Sequence, residues 1–379
     1  MVLNVVIEPS YHGTYWCKQY VYGVRMIADR SNIILNEISD DNLSSLEYES
    51  TDERKICLLI GTSVRWIHDM ILSLNKMNVH VILVACHSSM QNGVQISSVT
   101  TDYWKSMQNL MTYLLLSDRK RIALFGINPN STNDLIKKEA FMYISFEGQP
   151  HYASEDIFTN KGSLNQACQD FFQKIDAYDS VICANDISAI TLIRFLKTKY
   201  VQVPDDIYIV SFGDTVLGQI QYPSITTAVL NCVEIGKQAV EIFLMLRKNT
   251  CLSSITTTVE CQVKVGESTA NRPAPGELTM VYSSSNHEQV PFYDDPDVAE
   301  IFQVEEALSH CDELDLKIIS GLMQNIAYGA LSEILYISES ALKYRVKKLL
   351  SYTGGIKRSE FVDLLNKYLD VERIINYSS

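Results

Sequence analysis

The first 265 residues alternate between short apolar runs and amphipathic helical patterns. A strand pattern at Leu3–Ile7 opens the chain, and Trp16, Tyr20 and Val24 then recur at helical spacing. Strand patterns continue to recur, most of them separated by one helical pattern. Such β-α-β units require right-handed crossovers and a parallel sheet. The sequence therefore predicts an α/β fold in which helices flank parallel sheets.

Composition narrows the class of protein. A chain of 379 residues is long enough for two or three domains. No apolar run reaches the ~18 residues that a membrane span needs, and the opening strand pattern does not resemble a secretory signal. Nine cysteines without a C-x-x-C pair predict reduced thiols. We therefore expect a cytoplasmic protein that is not associated with a membrane.

Motifs for catalysis do not occur in the chain. There is no G-x-G-x-x-G, phosphate-binding loop, H-E-x-x-H or G-x-S-x-G pattern, and the seven histidines are scattered. The sequence thus predicts neither an enzyme nor a bound metal or cofactor.

A stretch near the end, Ala330–Val362, has a different pattern. Two short helical segments flank a tight corner, Ser338 is placed as the N-cap of the second, and Gly354-Gly355 would end it. The predicted apolar stripes are Leu331, Ile334 and Leu335 on the first helix and Leu342, Val346, Leu349 and Leu350 on the second.

The second helix and its end are strongly basic. Ser340–Arg358 holds six cations and no acid, +6 in a chain of net charge −13. A helix, a sharp turn and a basic amphipathic helix are typical of the module that places a recognition helix in the major groove of double-stranded DNA. The alternative is a solvated helix pair with a basic face that arose by chance.

The same stretch resembles the LuxR-type (GerE-type) DNA-binding domain. ISESALKYRVKKLL is similar to that family's recognition helix, and GIKRSEFV to the start of its fourth helix. The likeness covers roughly Asp312–Leu369, although the first helix opens with LDLK rather than the family's Leu-Thr-x-Arg-Glu. It implies a small all-α helix-turn-helix domain.

The DNA-contacting residues follow from helical geometry. Lys343 and Lys347 are four residues apart and share one face with Ser340 and Tyr344, which makes this set the predicted contact with base edges. The other predicted contacts, to the phosphate backbone or at the helix start, are Ser338, Arg345, Lys348, Lys357 and Arg358.

The α/β part resembles the effector-binding core of the LacI/GalR repressors, which is itself similar to periplasmic sugar-binding proteins. The resemblance covers about residues 1–270 and implies two lobes joined by three crossings, with a ligand cleft between them. We place the crossings between Leu116 and Arg121, near Gly218–Tyr222 and near Asn249–Ser254. The matching segments are Cys183–Asp186 (CAND), Val203–Asp206 (VPDD), Val210–Asp214 (VSFGD) and Pro223–Thr227 (PSITT).

The resemblance also suggests cleft residues. Tyr11, Tyr15 and Trp16 fall where the family presents aromatic rings to a ligand, with a helix-start core cluster as the alternative. Asp102 and Asn185 match polar cleft positions, with a turn or cap role as the alternative.

Two positions depart from the family pattern. The ligand-gripping arginine falls on Lys137, which lacks the bidentate guanidinium, and one of two aspartates falls on Gly213, which leaves Asp214. Either the effector differs from a simple pentose or hexose, or the cleft binds nothing small.

Residues 271–311 are predicted to be a linker with a connecting helix, and residues 312–379 the DNA-binding domain. Leu278–Tyr282 is a candidate extra strand, and Asp294–Glu313 has the spacing of a helix that packs against the sensor or a second subunit.

Together these features predict a homodimeric transcription regulator in which a small-molecule effector in the cleft alters DNA binding. The alternatives are a sensory or solute-binding adaptor that does not touch DNA, and a sensor with a degenerate cleft controlled by a protein partner.

Overall fold

The computed structural model describes residues 1–47, 54–86, 96–269, 280–281 and 296–377. Apart from 280–281, the predicted linker before Pro296 lies outside these residues. The strands are β1 Val2–Ile7, β2 Ile34–Ile38, β3 Ile56–Ile60, β4 His80–Val84, β5 Ile96–Thr101, β6 Ile122–Ile127, β7 Ser145–Phe146, β8 Ile157–Thr159, β9 Ser180–Cys183, β10 Tyr208–Gly213, β11 Thr226–Val229, β12 Thr256–Val259, β13 Val263–Lys264 and β14 Met280–Val281. The helices are α1 Pro9–His12, α2 Tyr15–Arg30, α3 Val64–Lys76, α4 Tyr103–Leu116, α5 Thr132–Tyr143, α6 Leu164–Phe172, α7 Asp186–Thr198, α8 Val216–Ile220, α9 Cys232–Lys248, α10 Pro296–Ser309, α11 Glu313–Met323, α12 Tyr328–Ile334, α13 Glu339–Tyr352, α14 Arg358–Tyr368 and α15 Val371–Tyr377.

Two six-stranded sheets form two lobes, as predicted. The first lobe has strand order β12-β5-β4-β3-β1-β2, and all of its pairs are parallel. The second has order β13-β11-β10-β9-β6-β8, and only β13 runs antiparallel to its neighbour. Strands β8 and β11 were not predicted, because each is too short to give a clear apolar alternation.

The lobe crossings do not lie where the sequence placed them. β5 belongs to the first sheet, but the next helix, α4, packs on α5 of the second lobe. β11 of the second sheet leads into α9, which packs on α2 of the first lobe, and β12 is followed directly by β13 of the other sheet. The chain therefore crosses at residues 101–103, 229–232 and 259–263. The predicted positions came with the family resemblance, whereas the strand order of this chain decides which lobe each segment joins.

Helices α2 and α9 approach each other at backbone distance. A Cβ atom on Gly23 would lie 2.0 Å from the carbonyl oxygen of Val233, and one on Gly236 would lie 2.1 Å from that of Tyr20. Only glycine allows this contact, which fixes the two helices of the first lobe against each other.

The connecting helix α10 packs against the sensor, which is one of the two predicted alternatives. Val298, Ile301, Val304 and Leu308 are buried, and the helix contacts α2 of the first lobe and α7 and α8 of the second. Helices α11 to α15 follow it, and α15 packs on α11 and contacts α8. The candidate strand within Leu278–Tyr282 is β14, which pairs antiparallel with β7.

Within the described residues, none of the helices combines the length and apolarity needed to cross a membrane.

Candidate functional site

A small cavity of about 40 Å³ lies between the lobes. The first lobe lines it from α1, α2 and the loop after β3, and the second lobe from α4, α5 and the loops after β6 and β9. The lining residues are Tyr11, Trp16, Tyr20, Thr62, Tyr103, Asn128, Ser131, Asn133, Asp134, Lys137, Asn185 and Leu230.

Hydrogen bonds between the lobes close the cavity. The Val64 amide donates to the Asn130 carbonyl and the Thr132 amide to the Thr62 carbonyl, each at 2.8 Å, which makes an antiparallel bridge. The Asn133 side-chain amide adds a third contact, to the carbonyl of Ala85 at 2.7 Å. Pockets that take small ligands commonly measure ~300–1,000 Å³, so the cavity of this closed form is far smaller than a sugar site.

Lys137 is engaged inside the second lobe. Its Nζ donates to Asp134 Oδ1 at 2.9 Å and to the Ala184 carbonyl at 2.7 Å, and it lies 4.9 Å from the centre of the Tyr103 ring. The ammonium carries three N–H donors, and these contacts use two of them. Lys137 stands at the position that the resemblance assigns to a ligand-gripping arginine, and here its charge neutralises the buried Asp134.

Two polar atoms of the cavity wall are buried without a hydrogen-bond partner among the described residues. They are Trp16 Nε1, a donor, and Asn133 Oδ1, an acceptor; both residues are less than a tenth exposed. Buried polar groups are normally hydrogen-bonded. The wall of the cavity therefore carries one donor and one acceptor whose hydrogen-bonding capacity is unused among the described residues.

The structure brings together four of the seven predicted cleft residues: Tyr11, Trp16, Lys137 and Asn185. Asn185 also caps α7, since its Oδ1 accepts from the Ser188 amide at 2.9 Å, which is the cap alternative.

The other three lie elsewhere. Asp102 caps α4 by accepting from the Lys105 amide at 2.9 Å, which is the cap alternative. Asp214 pairs with Lys264 at 2.9 Å. Tyr15 packs against the core beside α10, and burial raises the pKa of its hydroxyl. None of the three reaches the cavity wall.

Several lining residues were missed, although some had a usable signal. Tyr20 lies one helical turn after Trp16, and Asn133 and Asp134 precede Lys137 by four and three residues on the same helix. Helical spacing from a residue already selected would have found them. Tyr103, at the start of α4, and Asn128, in the loop after β6, come from separate parts of the chain and gave no such signal.

Helix α10 touches both lobes next to this cavity. Phe302 lies edge-to-face on Trp16, with ring centres 5.8 Å apart. Glu305 is fully buried, and its carboxylate accepts from the amides of Val216 at 2.9 Å and Leu217 at 2.6 Å, at the start of α8. Burial raises the pKa of Glu305 to about 7. Trp16 therefore lines the cavity and also contacts α10 through Phe302.

The basic helix α13 presents one polar face. Leu342, Val346 and Leu349 are buried, while Ser338 caps the helix by accepting from the Ala341 amide at 3.2 Å. The predicted groove-facing residues and their neighbours are exposed: Ser338, Ser340, Lys343, Tyr344, Lys347 and Lys348. Gly354 and Gly355, both at positive φ, follow its end as predicted. Ile334 of the first helix is 57% exposed, which corrects its placement in the apolar stripe.

Two predicted phosphate contacts are engaged within the helical domain instead. Arg345 Nη1 pairs with Asp312 at 2.8 Å and with the buried Asp315 at 2.7 Å, which ties α13 to the start of α11. Arg358 lies over the ring of Tyr328 and donates to the Ile326 carbonyl. Lys357 remains exposed.

Two lobes, three crossings and a cavity between them give an α/β fold of the periplasmic-binding-protein-like kind. A family model described as "periplasmic binding protein-like domain" matches residues 112–269. Among solved structures, the chain is similar to a LacI family transcriptional regulator, CCPA from Weissella paramesenteroides with bound sucrose. That likeness has a TM-score of 0.54 and 19% identity over 71% of this chain and 98% of that one, and it concerns the fold.

Curated relatives point to the same class. The chain is 26% identical to the HTH-type transcriptional regulator RegA of Clostridium saccharobutylicum over 250 residues, 63% of this chain and 72% of the relative. It is 28% identical to the HTH-type transcriptional regulator GalR of Streptococcus thermophilus over 155 residues, 38% of this chain and 46% of that relative, so it spans about half of GalR's length. These relatives are transcription regulators rather than enzymes, in agreement with the predicted function.

Proposed function

We propose that this protein is a transcription regulator in which a small polar effector between the lobes controls DNA binding by α13. The observation that carries the proposal is the position of α10. This helix contacts the cavity wall through Phe302 and Trp16, and it also contacts the C-terminal helices, because Glu300 pairs with Lys367 and accepts from Tyr368 Oη at 3.0 Å on α14.

The effector is a small polar molecule, and sugar-like chemistry is the first class to test. Aromatic rings at Tyr11, Trp16 and Tyr20 suit the apolar face of a sugar, and the unpartnered Trp16 Nε1 and Asn133 Oδ1 suit its hydroxyls. A ligand of that size requires the bridge at Ser63 and Ser131 to open. The effector would then shift the population between closed and open lobes.

DNA recognition is assigned to a LuxR-like helix-turn-helix formed by α12 and α13. Lys343, Tyr344 and Lys347 lie exposed on one face and would meet base edges, while Lys348 and Lys357 would meet phosphates. Helix-turn-helix proteins bind two half-sites, so the active form would be a homodimer.

Effector binding would reach α13 through α10. A change in lobe closure moves Trp16 relative to Val216 and Leu217, and α10 is anchored to both sides. A movement of α10 is passed to α14 through Glu300.

The test is a salt titration of binding to a promoter duplex and to a scrambled duplex. Lys357→Ala should weaken both alike and lower the salt slope by about 1. Lys343→Ala should in addition lose roughly 1–3 kcal/mol of preference for the promoter. Lys76→Ala, an exposed lysine on α3, is the matched control and should change neither. A wild-type protein that binds no duplex at low salt would favour the adaptor alternative.

A further inference from the structure

A second and much larger cavity lies where the sensor meets the C-terminal helices. Its volume is about 760 Å³. The end of α7 forms one wall and the end of α14 the other, and the segment after α8 lies between them. None of its lining residues lines the interlobe cavity. Pockets for small molecules commonly measure ~300–1,000 Å³, so this groove has the size that the closed interlobe cavity lacks.

The groove is positively charged in an acidic protein. Its lining includes Arg194, Lys197, Lys199 and Lys367, and Asp370 is the only acid among the lining residues. The charge of the lining is therefore 4 − 1 = +3, against −13 for the chain. Such a local excess of one sign attracts ligands of the opposite sign.

Two of these cations are available to a ligand. Lys197 and Lys199 are exposed, and no ion pair joins either of them to an acid of the described chain. Arg194 stacks on the Tyr368 ring with its guanidinium carbon 4.0 Å from the ring centre, and Lys367 pairs with Glu300. Arg194 and Lys367 thus shape the walls. Lys199 Nζ lies 5.6 Å from the Phe172 ring centre and 5.5 Å from that of Phe195, so its ammonium, like that of Lys197, keeps its N–H donors for a ligand.

One residue of the groove wall, Gln221, carries a buried donor without a partner. Gln221 is 3% exposed, and its Nε2 has no hydrogen-bond partner among the described residues. Unpartnered amide donors at this burial are uncommon. A ligand rich in acceptors that reaches Nε2 would satisfy this donor. Phosphate oxygens are such acceptors, and they also form strong, charge-assisted hydrogen bonds with ammonium groups.

We propose that this groove is a second effector site, which binds a small phosphorylated metabolite. Its occupant would contact α7 of the sensor and α14 of the C-terminal domain at once, and so hold the DNA-binding helices against the second lobe. The regulatory consequence rests on the proposed function, whereas binding of the anion does not.

The experiment is calorimetric titration of the full chain with inorganic pyrophosphate, with sodium chloride adjusted to constant ionic strength and no DNA present. The wild type should show saturable 1:1 binding. Lys197→Gln/Lys199→Gln should weaken it at least tenfold, and Gln221→Met should weaken it without changing the circular dichroism spectrum. The control Lys76→Gln/Lys105→Gln removes the same charge from exposed sites on α3 and α4 and should bind as the wild type does.

Each other outcome overturns the proposal. Absence of saturable binding, or an equal loss in the control pair, would show only a general charge effect. If pyrophosphate does not bind while a DNA duplex loses affinity in Lys197→Gln/Lys199→Gln, the rim contacts the DNA backbone instead. Because the titration contains no DNA, its result does not depend on whether the protein binds DNA.

Discussion

Docking of α10 depends on one buried carboxyl group, and its protonation makes that docking sensitive to pH. The pKa of Glu305 is raised from 4.5 to about 7 because the group is buried, with a smaller contribution from Asp186 nearby. The folded protein therefore holds a proton that the unfolded chain has released. The stabilisation is fully present below pH 4.5 and is lost as the pH rises through about 7.

The expected magnitude follows from these two values. A rise from 4.5 to about 7 corresponds to roughly 3 kcal/mol, most of which is lost between pH 5 and pH 8. Glu305→Gln keeps an oxygen that accepts from one of the two α8 amides but does not titrate. The free energy of unfolding of the wild type minus that of Glu305→Gln should therefore fall by roughly 2–3 kcal/mol across this range.

The assay is urea unfolding followed by tryptophan fluorescence at pH 5, 6, 7 and 8. Trp66→Phe and Trp104→Phe in both proteins leave Trp16, the residue that contacts Phe302 of α10, as the reporter. Glu306→Gln is the control, since Glu306 is the partly exposed neighbour of Glu305 and itself pairs with Lys18 at 2.6 Å. Parallel pH profiles for wild type and Glu305→Gln would refute the reasoning.

Three further substitutions test the packing. Gly236→Ala places a Cβ 2.1 Å from the Tyr20 carbonyl oxygen, so it should lower the free energy of unfolding by about 1–3 kcal/mol, whereas Gly13→Ala, with open space around it, should be near neutral in the same urea titration. Lys137→Met leaves Asp134 buried without its cation and should lower the free energy of unfolding by about 3 kcal/mol. In a double-mutant cycle, Lys137→Met/Asp134→Leu should recover part of this loss. An equal loss in the single and the double variant would argue against the pair. Arg345→Met should raise the pKa of Asp312 in an NMR titration, because the hydrogen bond from Arg345 holds that pKa low. Arg345→Lys keeps a cation and should restore part of the lowering, since one nitrogen of Arg345 makes both contacts. An unchanged pKa of Asp312 in Arg345→Met would contradict the assignment.

Local pattern determined most of the elements. The cap at Ser338 and the glycines at 354 and 355 lie where their chemistry placed them. Each of these features depends on residues within one or two helical turns, where spacing and capping preference act directly. The apolar stripe of α13 follows for the same reason.

The tertiary structure decided which residues meet. Arg345 has the spacing of a phosphate contact, yet Asp312 and Asp315, on another helix, take its guanidinium. Lys137 matched a ligand-binding position, yet Asp134 and the Ala184 carbonyl hold it. The crossings lie at other residues than predicted, because the strand order of the two sheets assigns each segment to a lobe. A charge pattern along the chain states what a side chain can bind, but the partner it does bind depends on distances that exist only after the two lobes and the C-terminal helices have packed.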